Sequence, residues 1–377
     1  MNLDTLRQQL ADAMEQRGDW PQRSPWIRQA VTTLPRDLFA PDRLYDWDGR
    51  AWQPVDRSSD PDSWAQLLYA NQDMAATTQV TNDGLPSSSL SCQAVVVDML
   101  DLLLLEPGQR VLELGTGSGW NSALLAQRAG PHMVTSVELD RGLADAARSR
   151  LPAVAVRTGD GAKGWPAGAP YDRVISTYAV DQIPWAWVEQ TTPGGRLVTP
   201  WGRLGHVALT VADDGRSATG WVQGLGQFMP ARGNLVAVGS YGLIRGDQEP
   251  ASERVTERDL APFRADQHLR FAIRVAAPDL WIQAGVDRDG VNVWIHDGIA
   301  SWATFSAVRD EPTAVYQGGP RQLADEFEQA WDQWLALGSP DLYEYGLTVT
   351  ASEQYAWALD PETGPRWPTE AAVGHAA

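Results

Sequence analysis

Arg110-Val111-Leu112-Glu113-Leu114-Gly115-Thr116-Gly117-Ser118-Gly119-Trp120-Asn121 reads as a short apolar strand meeting an acid, then three glycines at alternate positions, then a helix opening at about Asn121. A strand that feeds a glycine turn and a helix sets bare backbone N–H groups and a positive helix end beside a ligand. Glycine suits such a turn because a side chain would block the ligand and because the turn often needs positive φ.

The spacing is G-x-G-x-G rather than the G-x-G-x-x-G of dinucleotide folds, and no Lys-Ser/Thr pair follows, so a phosphate-binding P-loop is excluded. Glu113 would repel a pyrophosphate but suits a ligand with cationic groups. S-adenosylmethionine, with an ammonium and a sulfonium, is the ligand this pattern favours. Two later stretches support it. A doubly wound sheet places an acid on the ribose hydroxyls about 20 residues on, at the end of its second strand. Val134 to Glu138 supplies that strand, with Glu138 lying 19 residues beyond Gly119 and Leu139 following it. A third strand, Val154 to Thr158, runs into Gly159-Asp160-Gly161, where Asp160 can accept from the adenine amine. The expected cofactor contacts are therefore Glu113, Gly115, Thr116, Gly117, Ser118, Gly119, Asn121, Glu138, Leu139, Gly159, Asp160, Gly161 and Thr177.

Composition bounds the rest. A chain of 377 residues with 43 % hydrophobic content builds one large domain or two. Its net charge of −18 argues against nucleic acid and anionic membrane surfaces as partners. One cysteine, Cys92, allows no intrachain disulfide and no cysteine-based metal site, which points to a reducing cytoplasm. The start carries no signal-peptide pattern and no stretch approaches 20 apolar residues, so no membrane span is expected. Of the eighteen tryptophans, most should be core, and some could line a peptide-binding surface.

Along the chain, Leu3, Leu6, Leu10 and Met14 have helical spacing. Residues 42–90 are rich in Asp, Trp, Ser and Gly with weak periodicity, and read as a loop-rich region. Ser87 to Gln93 opens an apolar helix from Ala94 to Leu105, with Ser91 as its default N-cap. Tyr171 to Thr177 is a fourth strand. The loop from Tyr178 to Pro184 then faces the reaction, because ligands of open α/β sheets sit at the carboxyl ends of strands. Trp185 to Gln190 is helical, and Pro193-Gly194-Gly195 turns into a fifth strand, Arg196 to Thr199. A hairpin follows at 206–212. Beyond 233 come a hairpin from Trp281 to His296, a helix from Pro320 to Leu337, two strands near 347–359 and a ten-residue tail. The expected fold is α/β, a doubly wound Rossmann-like sheet with an N-terminal helical and loop region. A cap over 1–106 and a core over 107–233 form the first domain. An α+β accessory region at 234–377 forms the second.

Taken together, Leu34-Pro35-Arg36-Asp37-Leu38-Phe39-Ala40-Pro41, Ser89-Leu90-Ser91, the glycine stretch, Gly159-Asp160-Gly161 with Trp165, Ile183-Pro184 and Pro193 to Leu197 resemble the protein-L-isoaspartate O-methyltransferase family, over roughly residues 20–233. The resemblance implies a class I methyltransferase fold, S-adenosylmethionine as donor and S-adenosylhomocysteine as product. It also implies an acceptor carboxylate at the serine element, here Ser91 and Ser89, with Thr177 and Tyr178 on the opposite wall. Cys92-Gln93 replaces the family's usual Gln-Pro, and Thr177-Tyr178-Ala179 replaces its Thr-Ala-Ala. The long accessory region and the Trp-rich 42–70 loop resemble an actinobacterial branch that acts on ribosomally made, cyclised peptides such as lanthipeptides, lasso peptides and graspetides. There an aspartate is methylated, and the ester collapses to aspartimide, which hydrolyses to isoaspartate. The leading expectation is therefore a peptide aspartyl O-methyltransferase. General isoaspartyl repair and a non-catalytic, peptide-recognising scaffold are the alternatives. A carboxylate is ionised at neutral pH, its pKa being about 4, so no general base is expected, and no metal. None of the five histidines falls in these motifs.

Overall fold

The computed structural model describes residues 2–202, 205–232 and 239–369. The chain divides into two compact units. The first runs to Gly220 and takes in Leu225–Arg232 and Val349–Ala351. The second comprises Trp221–Gly224, the described residues up to Thr348, and the chain from Ser352. The expected domain junction at 233 and the tail from 370 onward lie outside the described residues.

The first unit opens with α1 (Leu3–Arg17), capped by Asn2 and closed by Gly18 at φ 83°, and α2 (Trp26–Thr33). Leu6, Leu10 and Met14 of α1 are buried, as their spacing requires. The stretch expected to be loop-rich is ordered. Strands β1 (Arg43–Trp47) and β2 (Trp52–Asp56), helix α3 (Pro61–Tyr69), and strands β3 (Ala76–Val80) and β4 (Pro86–Leu90) occupy it. The four strands pair antiparallel in the order β2-β1-β3-β4. These strands are five residues each and separated by Asp- and Gly-rich turns, too short to print a clear alternation. The serines extend as β4 rather than opening a helix. Helix α4 begins later, at Gln93, and ends at Leu102, with Cys92 rather than Ser91 at its N-cap.

The core sheet follows: β5 (Val111–Leu114), α5 (Trp120–Ala129), β6 (Val134–Glu138), α6 (Arg141–Arg150), β7 (Ala155–Thr158), β8 (Tyr171–Ser176), α7 (Trp185–Glu189), β9 (Thr191–Trp201), β10 (Gly205–Val211) and β11 (Ser217–Leu225). Its order is β7-β6-β5-β8-β9-β10-β11, parallel from β7 to β9 and antiparallel between β9 and β10. The strand order reverses between β5 and β8, and ligands of such sheets bind at the carboxyl ends there. β5 is buried along its whole length, as a central parallel strand must be. The Pro193-Gly194-Gly195 turn lies within β9, where the pairing with β8 shifts register between Tyr171 and Arg173.

After β11 the chain forms α8 (Tyr241–Arg245), β12 (Ser252–Thr256), α9 (Ala261–Ala265), α10 (Gln267–Ala276), β13 (Trp281–Val286), β14 (Val291–His296), β15 (Trp302–Val308), β16 (Glu311–Gly318), α11 (Leu323–Ala336), β17 (Tyr345–Thr350), β18 (Gln354–Ala358) and β19 (Arg366–Pro368). Five of these strands form an antiparallel sheet, β12-β16-β15-β14-β13. Aromatic packing seats α11 on it: Phe327 lies 5.2 Å from Phe305 and 5.1 Å from Phe263, centroid to centroid. Among the described residues, no helix is long and apolar enough to cross a membrane.

Candidate active site

The turn after β5 uses its glycines as the sequence predicts. Gly115, Gly117 and Gly119 have φ of 93°, 53° and 90°, in the region a side chain disfavours. A Cβ on Gly115 would lie 2.4 Å from Thr177 Oγ1 and 2.9 Å from the Tyr178 ring. On Gly117 the nearest atom would be Ser88 Oγ, 3.9 Å away. Gly115 is therefore closed against the β8 loop, whereas a Cβ on Gly117 would meet only the Ser88 hydroxyl, at ordinary van der Waals distance. Of the three glycines Gly117 is the least crowded, and the hollow beside it is the turn's cradle.

Glu113 departs from the sequence expectation. Its side chain is fully buried and turned into the protein, where the Ser122 hydroxyl, the Ser136 hydroxyl at 2.5 Å and the Asn121 amide at 2.9 Å donate to it. It braces the turn from below, and Asn121 is spent on it rather than on a ligand. Burial pushes the carboxyl up to about 7, against the pull of those hydrogen bonds and with a small push from Glu138. Thr116 is likewise buried, its hydroxyl 2.6 Å from that of Ser136. The Ser118 carbonyl accepts from Arg150 at 2.7 Å.

The acids at the next two strand ends stand at the carboxyl edge of the sheet. Glu138 accepts from the Gly117 N–H at 2.8 Å and from the Asp140 N–H at 2.9 Å. Each carboxylate oxygen keeps a further lone pair for a ribose hydroxyl. Leu139, beside it, is 51 % exposed, an apolar surface available to a base. Asp160 is exposed and caps the turn after β7 through the Ala162 N–H at 3.0 Å. The donor set thus fits S-adenosylmethionine: backbone N–H groups at a helix start, two acceptors for hydroxyl and amine, and an uncrowded glycine at Gly117.

Thr177 holds the turn from the β8 side, its hydroxyl donating to Gly115 O at 2.7 Å. The Tyr178 ring packs edge-on against Trp187, with centroids 6.3 Å apart, and its hydroxyl crowds Gly161, where a Cβ would come within 2.3 Å. Trp187 in turn donates to Gly161 O at 2.8 Å. Burial, then the charges of Asp160 and Glu138, push the Tyr178 phenol well above its ordinary value, so it stays protonated. Gly159 lies 2.9 Å from Glu138 O through its N–H.

The serine element reaches the cradle by a residue the sequence reading passed over. Ser88, not Ser89 or Ser91, lies against Gly117. Ser89 and Ser91 are half-buried on the same segment. What fixes the segment is Arg36, fully buried, whose guanidinium donates to Leu68 O, to Leu90 O at 3.1 Å and to Ser91 O at 2.9 Å. It lies over the Trp120 ring at 5.5 Å, and Trp120 donates to Leu34 O at 2.8 Å. Burial lowers the Arg36 guanidinium to about 10, so it remains charged at neutral pH. The Pro-Arg element, the end of the serine strand and the start of α5 therefore meet at one arginine. Cys92 sits beside them with its thiol pushed up by burial, which disfavours the nucleophilic thiolate.

The family model for protein-L-isoaspartate(D-aspartate) O-methyltransferase (PCMT) matches residues 8–223. The chain is 36 % identical over 200 residues to protein-L-isoaspartate O-methyltransferase 1 of Anaeromyxobacter sp. (strain Fw109-5), covering 51 % of this chain and 80 % of that one. To the protein-L-isoaspartate O-methyltransferase of Halorhodospira halophila (strain DSM 244 / SL1) it is 37 % identical over 223 residues, 56 % of this chain and 84 % of the relative. A solved protein-L-isoaspartate O-methyltransferase aligns over 93 % of this chain and 99 % of its own, at a TM-score of 0.49 and 20 % identity.

Proposed function

Because this chain belongs to the protein-L-isoaspartate O-methyltransferase family, whose members are S-adenosylmethionine-dependent carboxyl methyltransferases, we propose that it methylates an isoaspartyl carboxylate in a protein or peptide. The observation that carries this reading is the uncrowded Gly117 position, where a Cβ would meet only the Ser88 hydroxyl, with Glu138 accepting from the Gly117 N–H at 2.8 Å.

Bound there, S-adenosylmethionine supplies a sulfonium-activated methyl group for in-line attack by a carboxylate oxygen. The chain's own part is positioning. The glycine turn admits the donor, Glu138 takes its hydroxyls and Asp160 its amine. Tyr178, protonated and packed on Trp187, shields the wall from water. Ser88, with Ser89 and Ser91 on the same segment, offers hydroxyls to the acceptor carboxylate. An acceptor already ionised at neutral pH, with a pKa of about 4, needs no base, so rate enhancement comes from proximity and alignment.

A second reading is favoured by one feature. Nearly all of the second unit lies beyond residue 223, where the family match ends, and it adds a whole sheet and helices. On this reading it recruits a ribosomally made, cyclised peptide whose aspartate is methylated and then closes to aspartimide. One experiment separates the two. The purified chain and S-adenosylmethionine are incubated with an isoaspartyl peptide, its aspartyl counterpart and a cyclised precursor, and methyl gain is followed by mass. Rapid methylation of the isoaspartyl peptide supports the first reading. Transfer to the cyclised precursor alone supports the second, and no transfer to any carboxylate removes both.

A further inference from the structure

Arg232 lies outside every motif above, yet it closes a ring of contacts around the cradle. Its Nη2 donates to the Ser87 carbonyl at 2.7 Å and to Gln79 Oε1 at 3.3 Å, and its Nη1 meets Asp140 Oδ2 at 3.2 Å. Asp140 donates its N–H to Glu138, and Glu138 accepts from Gly117. Ser88, next to Ser87, faces Gly117 from the other side. The guanidinium thus links strand β4 to the loop after β6, the two segments that meet Gly117.

Two further facts assign this arginine a ligand. Its side chain is 31 % exposed, so the ring is open to solvent at that point. Its Nε bonds no described residue, which leaves a donor beside the cradle. The carboxylates Glu138, Asp140 and Asp160 stand beside the turn, while Arg150 is engaged with the Ser118 and Phe39 carbonyls, in a chain of net charge −18. An anionic acceptor approaching those carboxylates is repelled unless a cation meets it. A guanidinium presents its donors in a planar fork that matches a carboxylate, and a charge-assisted pair of this kind is strong and directional.

We propose that Arg232 binds the acceptor carboxylate, taking one carboxylate oxygen from Asp140's side of the ring while the Ser87 carbonyl and Gln79 hold the guanidinium in place. This rests on the carboxyl-methylation reading above. Asp140 is then the stand-in partner that keeps the arginine aimed in the absence of a peptide. Its own role as cap of α6, through the Leu143 N–H at 3.0 Å, continues unchanged when the acceptor arrives.

The test uses the full chain, Arg232→Gln and Arg232→Lys. Competing peptides carry either the acceptor carboxylate or the matching carboxamide at the same position, and S-adenosylmethionine binding is measured in parallel by calorimetry. The wild type should bind the acid at least about tenfold more tightly than the amide, the scale of one charge-assisted pair. Arg232→Gln should raise the peptide KM by a similar factor and erase the acid-over-amide preference, with donor affinity changed less than about twofold. Arg232→Lys should keep part of the preference, since it retains the charge and loses the fork. Equal weakening of acid, amide and donor would make Arg232 a brace only and overturn the proposal, as would an unchanged preference in Arg232→Gln. A wild type that methylates no carboxylate would instead remove the underlying reading.

Discussion

Gly115 and Gly117 carry different constraints although both have positive φ. Alanine at Gly115 would collide with Thr177 and Tyr178, besides the backbone strain. Gly115→Ala should lose about 1–3 kcal/mol from strain alone, read as a lower urea midpoint. Gly117→Ala meets nothing closer than 3.9 Å and should fold with a penalty of about 1 kcal/mol. Its Cβ fills the cradle, however, so donor affinity by calorimetry should fall at least about tenfold. Undiminished affinity in a folded Gly117→Ala would mean the donor binds elsewhere. Glu113 makes a pH prediction. Its carboxyl is raised from 4.5 to about 7, so the folded chain holds that proton more tightly than the unfolded chain does. Its contribution to stability therefore falls as pH rises between those values, and the penalty is complete above about 7. Urea unfolding at about pH 5 and about pH 8 should show a steeper loss for the wild type than for Glu113→Gln, which has no charge to bury. Parallel slopes in the two proteins would show that the group does not titrate in that window.

At the scale of elements, the serine strand shows how a local signal is overridden by sheet pairing. Ser87 to Ser91 sit before an apolar run, where helix caps are common. Pairing with β3 overrides that local preference and extends them. The alternation of a strand then decides which serine faces the glycine turn, and it is Ser88. Sequence spacing could not show this, because the facing residue depends on register. The strand's end depends on Arg36, which satisfies three buried carbonyls at once. Arg36→Ala strips all three of their partner and leaves a void under Trp120. A loss of about 2–4 kcal/mol is expected, measured by chemical denaturation, together with lower transfer to peptide. A loss below about 1 kcal/mol would show that solvent replaces the guanidinium without cost. Arg36 was visible in the Pro-Arg element, but its partners lie 32, 54 and 55 residues away and only the folded chain brings them together.

For the whole molecule, the parallel core was legible because periodicity and glycine punctuation are local signals. Strands β5, β6, β7 and β8 stand within a residue of where the spacing placed them. The four-stranded N-terminal sheet was not legible, since its strands are short and pair across turns that look like loop. By itself, the sequence determined the doubly wound core, the family and the chemistry class of the donor. A glycine turn flanked by strand and helix can be built in few ways, and its ligand is constrained by the acids that follow. The tertiary structure alone decided which carboxylate faces inward, which serine faces the cradle and where Arg36 and Arg232 close the site. Each of these is a contact between residues distant in the chain, and burial or register, neither of which is a property of a local stretch, selects it.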